Sequence, residues 1–322
     1  MNLKTRYQSK VGTVDDMLAM IHDGDIISGG GELCEPKTFY ENVHRVLPML
    51  NDIELLKGKR GSGYVYPFME MAELAGRLHM VCHLYDSSLR AAEQMGLASH
   101  LPSNLHDMMR RRCEYKPVIH KFIAAATTMD ENGRFAVSGC GMWEEEALRH
   151  AETVILEVNP NLPRFPGSLE IPLERVDLIV ETNDPVTIYN VRSVPSETDK
   201  IIGAYAAEFV HDGDCIQLGL GGMPDAVGNS FFDKKDLGLH TELYTPIMGD
   251  LIEAGVINGS RKNIDRGKHV GNFILGDEKL YRIMENNPDV LFRQASYTND
   301  PFVISQIDNM VSINTAMEID LR

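Results

Sequence analysis

The chain has 322 residues, 43% of them hydrophobic and 24% charged, with a formal net charge of −16. That is the composition of a folded globular protein with length for about two domains, and the acidic balance argues against nucleic acid or an anionic membrane as the main partner. No apolar run approaches the roughly 18 residues of a membrane span, and the N-terminal stretch MNLKTRYQSKVGTVDDM lacks a signal core, so a cytoplasmic protein is expected.

Residues 14–21 have helical spacing, with Leu18 and Ile21 on one side and Thr13 placed to cap. His22, Asp23, Gly24 and Asp25 turn the chain into a strand at Ile26 and Ile27. Gly29, Gly30 and Gly31 then lead through Glu32 and Glu35 to Pro36, from which a helix is predicted to carry Phe39, Val43, Val46 and Leu47. Arg110, Arg111 and Arg112 follow a helical pattern that starts at Asn104 and read as a basic helix end, favoured by the helix dipole. Residues 129–133 (MDENG) are a turn, and 134–139 open a strand. A helix over 143–150 begins on Glu144, Glu145 and Glu146, acidic residues favoured there for the converse reason, and 153–158 form the next strand. Residues 159–200 hold Pro160, Pro163, Pro166, Pro172, Pro185 and Pro195 and read as a crossing segment with one strand, 176–181.

The order helix, HDGD turn, apolar strand, glycine loop, proline, helix then recurs. Residues 21–25 (IHDGD) match 210–214 (VHDGD) 189 positions on, and Gly30 falls on Gly219, with Pro36 within one place of Pro224. We read an internal duplication. A second correspondence sets 134–158 against 272–292, each a strand, a helix and a strand. Repeated strand-helix units point to largely parallel sheets covered by helices, with a boundary between 194 and 200.

The chemistry of the second half concentrates at two places. The run 216–218 ends in Gly219, Leu220, Gly221, Gly222, Met223 and Pro224, a strand-to-helix turn whose free backbone N–H groups suit a phosphate or an oxyanion, with Pro224 at the first helical position. Residues 237–243 (LGLHTEL) read as one strand ended by Tyr244, Thr245 and Pro246, which puts Glu242 at a carboxyl end, where open α/β sheets bind ligands; such a carboxylate is a candidate covalent nucleophile. Read singly, the loop is also a plain tight turn and the glutamate a solvated or capping carboxylate. The loop 260–269, with Arg261, Lys262, Arg266 and Lys268, is either a local anion site or a solvated basic loop. Cys34, Cys82, Cys113, Cys140 and Cys215 show no CxxC spacing and read as reduced, buried thiols, and the eleven histidines show no HExxH spacing, so no metal is expected. Neither a GxSxG elbow nor a Walker loop occurs.

The stretches GLGGMPDAV at 219–227, HTEL at 240–243, LIEAGVINGSRKN at 251–263, GKHVGNFILG at 267–276 and the run 286–321 resemble the acetyl-CoA hydrolase/transferase family. So do TMDENGRFAVS at 128–138 and VILEVNPNLPR at 154–164 in the first half. The likeness covers essentially the whole chain and is greatest to the 4-hydroxybutyrate (butyrate/acetate) CoA-transferase type. It implies an α/β fold of two similar open CoA-transferase-type domains, 1–195 and 196–322, the second carrying the nucleophile. It implies Glu242, in the HTE tripeptide, as the catalytic residue, and Gly219, Leu220, Gly221, Gly222 and Met223 as the loop contacting CoA. The implied substrates are coenzyme A thioesters and short-chain acids such as acetate, butyrate or 4-hydroxybutyrate, exchanged by a ping-pong mechanism through a glutamyl-CoA thioester, with no permanently bound cofactor, in a homodimer. An acyl-CoA hydrolase using the same glutamate, or a non-catalytic or partner-dependent CoA-binding subunit, are the alternatives.

Two departures from the family pattern bear on this. Tyr244, Thr245, Pro246 and Ile247 stand where the family commonly has an aromatic residue or methionine followed by Ser-Asp-Gly, which leaves the acyl pocket and the acid open. The stop at Arg322, where family members continue through a GQVNSE-like stretch, implies a fragment or one subunit whose partner chain supplies that segment. Gly29 to Gly31 and Glu32 either contact ligand or only form the duplicated turn.

Overall fold

The computed structural model describes residues 2–57, 64–83, 89–189, 192, 194–316 and 318–321. Arg322, where the sequence sets the stop, lies outside them. The chain forms two compact units, residues 1–164 with 168–187, and residues 165–167 with 188–322.

In the first unit, α1 (Leu3–Gln8), β1 (Val11–Gly12) and α2 (Val14–Ala19) come first. Thr13 caps α2 as predicted: its side chain accepts from the Asp16 N–H while the Asp16 carboxylate accepts from the Thr13 N–H. β2 (Ile26–Gly29) is followed by α3 (Lys37–Asn42), which is shorter than the spacing suggests. Beyond Asn42 the chain tightens into 3-10 turns at Val43–Arg45 and Leu47–Met49, the second holding Pro48, which has no N–H for a continuing α-helix. Then come β3 (Ile53–Lys57), β4 (Leu78–Cys82), α4 (Arg90–Gln94), β5 (Ala98–His100), α5 (Met108–Tyr115) and β6 (Ile119–Ala126). β7 (Arg134–Val137), α6 (Glu144–His150), β8 (Ala151–Val158), β9 (Leu169–Pro172) and β10 (Leu178–Glu181) complete the unit.

The main sheet has the order β1-β10-β8-β6-β2-β3-β4-β5, with every pairing parallel. A parallel sheet is covered on both faces, which is why β6 and β8 read as nearly unbroken apolar runs. Met17, Leu18, Ile27, Phe39, Tyr40 and Leu55 belong to the core between the sheet and its helices.

One expectation is corrected here and two are extended. The proline-rich segment holds a second strand, β9, which pairs antiparallel with β7; Pro172 is tolerated because it closes the strand. Arg112 is more than a basic helix end: it is 7% exposed and its guanidinium donates to Glu54 on β3 at 2.6 Å. Glu144 opens α6 as the sequence suggests, and it also turns inwards. It is fully buried, and its oxygens accept from the N–H groups of Gly31 and Trp143, each at 3.0 Å, and from the Cys140 thiol at 2.8 Å.

In the second unit, α7 (Glu197–Ala207) opens on a Ser196–Asp199 capping box. β11 (Cys215–Leu218), α8 (Gly222–Asn229), β12 (Gly238–His240), β13 (Leu243–Tyr244) and α9 (Pro246–Glu253) follow. β14 (His269–Gly271), β15 (Phe273–Ile274), α10 (Glu278–Glu285), β16 (Val290–Phe292), α11 (Ala295–Thr298), α12 (Pro301–Ile304) and β17 (Met310–Ile313) complete it. Its main sheet, again wholly parallel, has the order β16-β14-β12-β11-β17, and β13 pairs parallel with β15.

The duplication is present bond for bond at the HDGD turns. Asp25 accepts from the His22 N–H at 2.8 Å and Asp214 from the His211 N–H at 2.7 Å. Asp23 accepts from Asn51 N–H and Asp212 from Lys235 N–H, both at 2.8 Å. Gly24 and Gly213 donate to Asn51 O and Lys235 O, both at 2.9 Å, from positive φ of 77° and 91° that only glycine adopts cheaply. The strand order β16-β14-β12-β11-β17 repeats β5-β4-β3-β2-β6. The second correspondence does not hold: β16 is an edge strand beside β14, whereas β8 lies inside its sheet beside β6, so the counterpart of β16 is β5.

Candidate active site

Within the second unit, β11 lies between β12 and β17, and the chain leaves β11 through α8 towards β12 and reaches β17 last. This is a topological switch point, with its crevice at the carboxyl ends of the strands. The 219–223 stretch occupies that end. Gly219 N–H donates to Ile313 O at 2.9 Å, fixing the loop to β17. Gly221 then takes φ of 124° at the N-cap position of α8, and no side chain among the described residues caps this helix. The helix begins two residues before Pro224, so the proline sits in the first turn rather than at its first position; its missing N–H costs nothing there, because first-turn N–H groups have no intrahelical partner. Leu220 is exposed, and Gly222 and Met223 are half-buried.

Glu242 is not the end of one strand, as the LGLHTEL pattern suggests. The strand is interrupted at Thr241 and Glu242 and resumes as β13. Its neighbour breaks at the same level: β14 stops at Gly271, β15 starts at Phe273, and the register across the gap runs from Leu239↔His269 to Leu243↔Phe273, which sets Glu242 opposite Asn272. The Glu242 carbonyl accepts from both the Asn272 and Phe273 N–H groups at 3.1 Å, so the interruption leaves no orphaned carbonyl. Cys215 pairs with Gly238 and Ile216 with Leu239; the same register carried onward brings Gly219 level with Glu242. The two features singled out in the sequence thus share the carboxyl end of neighbouring strands.

The Glu242 side chain is half-buried. Burial raises its pKa above the ordinary carboxylate value, and one hydrogen bond opposes that: Asn299 Nδ2 donates to Oε2 at 2.7 Å. Asn299 follows α11 and was not marked by sequence reasoning; its Asn-Asp-Pro context reads simply as a helix start, and Asp300 does cap α12 by accepting from Phe302 N–H at 2.8 Å. Behind Asn299, Thr298 Oγ1 donates to Asn299 Oδ1 at 2.8 Å, and the fully buried Asn272 donates through Nδ2 to Thr298 Oγ1 at 3.3 Å. His240 is also buried, which lowers its pKa, and its Nε2–H donates to Thr298 O at 2.9 Å.

The basic loop is committed to its own unit. Arg261 pairs with Asp236 at 2.8 Å and Lys268 with Asp289 at 3.0 Å. Lys262 is buried and donates to Leu239 O and Lys268 O at 3.0 and 2.9 Å, and Arg266 donates to Ser260 O at 2.7 Å. In the first unit, Gly29 to Gly31 are buried and closely packed: a Cβ on Gly29 would stand 1.9 Å from the Tyr40 hydroxyl, and one on Gly31 2.7 Å from Met142. All five cysteines are buried free thiols. Among the described residues no helix is long and apolar enough to cross a membrane, and no group of three His, Cys, Asp or Glu side chains is placed to hold a metal.

Residues 1–190 match the acetyl-CoA hydrolase/transferase N-terminal domain and residues 276–322 the acetyl-CoA hydrolase/transferase C-terminal domain. The chain belongs to the acetyl-CoA hydrolase/transferase family. This acetyl-CoA hydrolase/transferase chain is 38% identical over 232 residues to the succinyl-CoA:cyclohexane-1-carboxylate CoA transferase of Geobacter metallireducens, an alignment covering 72% of the chain and 53% of that protein. It is 31% identical to the butyryl-CoA:acetate CoA-transferase of Anaerostipes caccae, across 100% of the chain and 73% of the relative. The chain thus spans about half of the first relative and about three quarters of the second. Among solved structures, RipA from Yersinia pestis has a TM-score of 0.88 at 29% identity, covering 98% of the chain and 75% of RipA. The 4-hydroxybutyrate CoA-transferase from Porphyromonas gingivalis has 0.81 at 25%, covering 99% and 76%. The mixed α/β fold with largely parallel sheets is shared with RipA and with that 4-hydroxybutyrate CoA-transferase.

Proposed function

We propose that this chain carries the nucleophile of an acyl-CoA:carboxylate CoA-transferase acting on short-chain acids of the acetate, butyrate or 4-hydroxybutyrate type. The observation that carries the reading is Glu242 itself: a half-buried carboxylate at a paired strand interruption, level with an uncapped glycine loop, with one oxygen held by Asn299 at 2.7 Å. A held Oε2 leaves Oε1 as the attacking atom.

The Glu242 carboxylate adds to the thioester carbonyl of acyl-CoA, and loss of the thiolate leaves an acyl-glutamyl anhydride. The CoA thiolate then adds to the glutamyl carbonyl, expelling the first acid as its carboxylate and leaving a glutamyl-CoA thioester. An incoming carboxylate attacks that thioester and releases the thiolate, leaving a second acyl-glutamyl anhydride; the thiolate then attacks its acyl carbonyl, forming the new acyl-CoA with the Glu242 carboxylate as leaving group. Each addition places negative charge on an oxygen. The N–H groups of Gly222 and Met223, with Leu220 and Gly221 before them, are the candidate donors, and one such donor contributes about 3 kcal/mol to a transition state. No separate base is required, because the carboxylate form of Glu242 is itself the nucleophile and has no proton to lose on attack.

The homodimer and cytoplasmic location belong to the same reading, the former checked by the mass of the protein in solution. The test is exchange of label from [14C]acetate into acetyl-CoA with butyryl-CoA as donor. Wild-type protein is expected to incorporate label and Glu242→Gln to incorporate none while CoA still binds; undiminished exchange in Glu242→Gln overturns the assignment. Loss of butyryl-CoA without an acceptor acid would instead identify a hydrolase.

A further inference from the structure

The structure holds a run of side-chain donors that ends on Glu242. Asn272 Nδ2 donates to Thr298 Oγ1 at 3.3 Å, Thr298 Oγ1 donates to Asn299 Oδ1 at 2.8 Å, and Asn299 Nδ2 donates to Glu242 Oε2 at 2.7 Å. The two ends of a carboxamide have nearly the same shape, so packing does not decide which end of Asn299 faces the glutamate. What decides it is the hydroxyl proton of Thr298. With a lone pair of Oγ1 taken by Asn272, that proton is directed to an acceptor, and the Asn299 oxygen at 2.8 Å is nearer than Gln294 O at 3.4 Å. The carboxamide oxygen is thereby drawn towards Thr298, and the NH2 is turned to the carboxylate.

Thr298 and its neighbour Tyr297 are held by three contacts, one of them to the backbone. His240 Nε2–H holds Thr298 O at 2.9 Å, the Tyr297 hydroxyl donates to Asp265 at 2.8 Å, and the Arg293 guanidinium lies over the Tyr297 ring at 4.6 Å. Thr298 itself is 3% exposed, so water does not compete for its hydroxyl. We infer that Thr298 is a positioning residue for Glu242: its hydroxyl orients the Asn299 carboxamide so that the amide donates to one carboxylate oxygen and leaves the other to attack. This rests on the reading of Glu242 as nucleophile. A flipped Asn299 would present an oxygen to the carboxylate, a repulsive contact that turns Glu242 away from the productive rotamer.

The variants are Thr298→Val, which keeps the branched shape and removes the hydroxyl, Thr298→Ser, which keeps the hydroxyl, Asn299→Ala, and Thr298→Val/Asn299→Ala. Steady-state exchange and the single-turnover rate of CoA attachment to Glu242 are measured, with thermal melts as the check on folding. Thr298→Val is expected to lower kcat and the attachment rate on the order of tenfold with KM for acyl-CoA unchanged. Thr298→Ser recovers most of the loss, and the double variant is no slower than Asn299→Ala alone, because the hydroxyl acts only through that amide. Thr298→Ala supplies the same comparison if Thr298→Val does not fold. An unchanged kcat in Thr298→Val, or a double variant whose losses multiply, overturns the inference. If exchange persists in Glu242→Gln, it is the nucleophile reading that fails; if Glu242→Gln is inert while Thr298→Val is fully active, only the role of Thr298 fails.

Discussion

The carboxamide of Asn299 and the carboxylate of Glu242 meet at 2.7 Å, and they act on the glutamate in opposite senses to its surroundings. Burial raises the Glu242 pKa and the Asn299 hydrogen bond lowers it. The carboxylate form is the nucleophile, so activity falls as pH drops through the folded pKa, and that acidic limb should lie above the range of an ordinary glutamate. Asn299→Ala removes the lowering influence, and the limb of kcat should move to still higher pH, with the loss of kcat greatest on the acidic side of the profile and smallest on its alkaline side. A pH–rate profile of both proteins checks this; coincident limbs would contradict it.

Gly221 has φ of 124° and open space where a Cβ would go. Gly221→Ala therefore isolates backbone strain from crowding. It should cost about 1–2 kcal/mol in a denaturant titration and reduce exchange through misdirected N–H groups at the start of α8. A variant of full stability and full activity would show that the loop does not need this conformation.

Arg112 and Glu54 form a largely buried ion pair in the first unit, 2.6 Å apart, with Lys116 also on Glu54. Removing one partner of such a pair leaves the other without its charge complement. Arg112→Ala should destabilise by about 3 kcal/mol, read from the denaturation midpoint, with kcat in the surviving folded fraction unchanged. A shift below about 1 kcal/mol would mean that Lys116 alone satisfies Glu54.

Glu157 lies at the carboxyl end of β8, fully enclosed, where burial pushes its pKa up to about 8 although its oxygens accept from Thr38 and Phe39 N–H at 2.9 and 2.6 Å. The folded value is above the unfolded one, so the folded state binds the proton more tightly. Its contribution to stability is fully present below about pH 4.5 and declines as pH rises towards 8. Over that window the stability of Glu157→Gln should fall less steeply than that of the wild type, measured by denaturant titration at pH 5, 6, 7 and 8. Parallel curves would contradict the assignment.

Much of this was legible in the chain because the HDGD turn uses backbone-directed chemistry: an aspartate accepting from the residue three before it and a glycine at positive φ leave a signature in five letters, twice. The strand-helix alternation and the glycine loop were visible for the same local reason. The strand interruption at Glu242 was not, since Leu237, Leu239 and Leu243 keep an apolar rhythm on either side of it and the break is set by the neighbouring chain at Asn272. Asn299 and Thr298 were hidden because their partners are 57 and 26 residues distant, and side-chain hydrogen bonds at such range have no period. Glu144 looked like its neighbours Glu145 and Glu146; only the fold shows that one of the three turns inwards to the Gly31 N–H. The strand β9 was masked by prolines that it tolerates as a short antiparallel partner of β7.

The most direct test of the account is the intact mass of the protein after incubation with acyl-CoA, followed by peptide mapping of any adduct. The account predicts a gain of one CoA less one water, located on Glu242 and discharged by added carboxylic acid. Turnover with no adduct at Glu242, or an adduct on another residue, would contradict it.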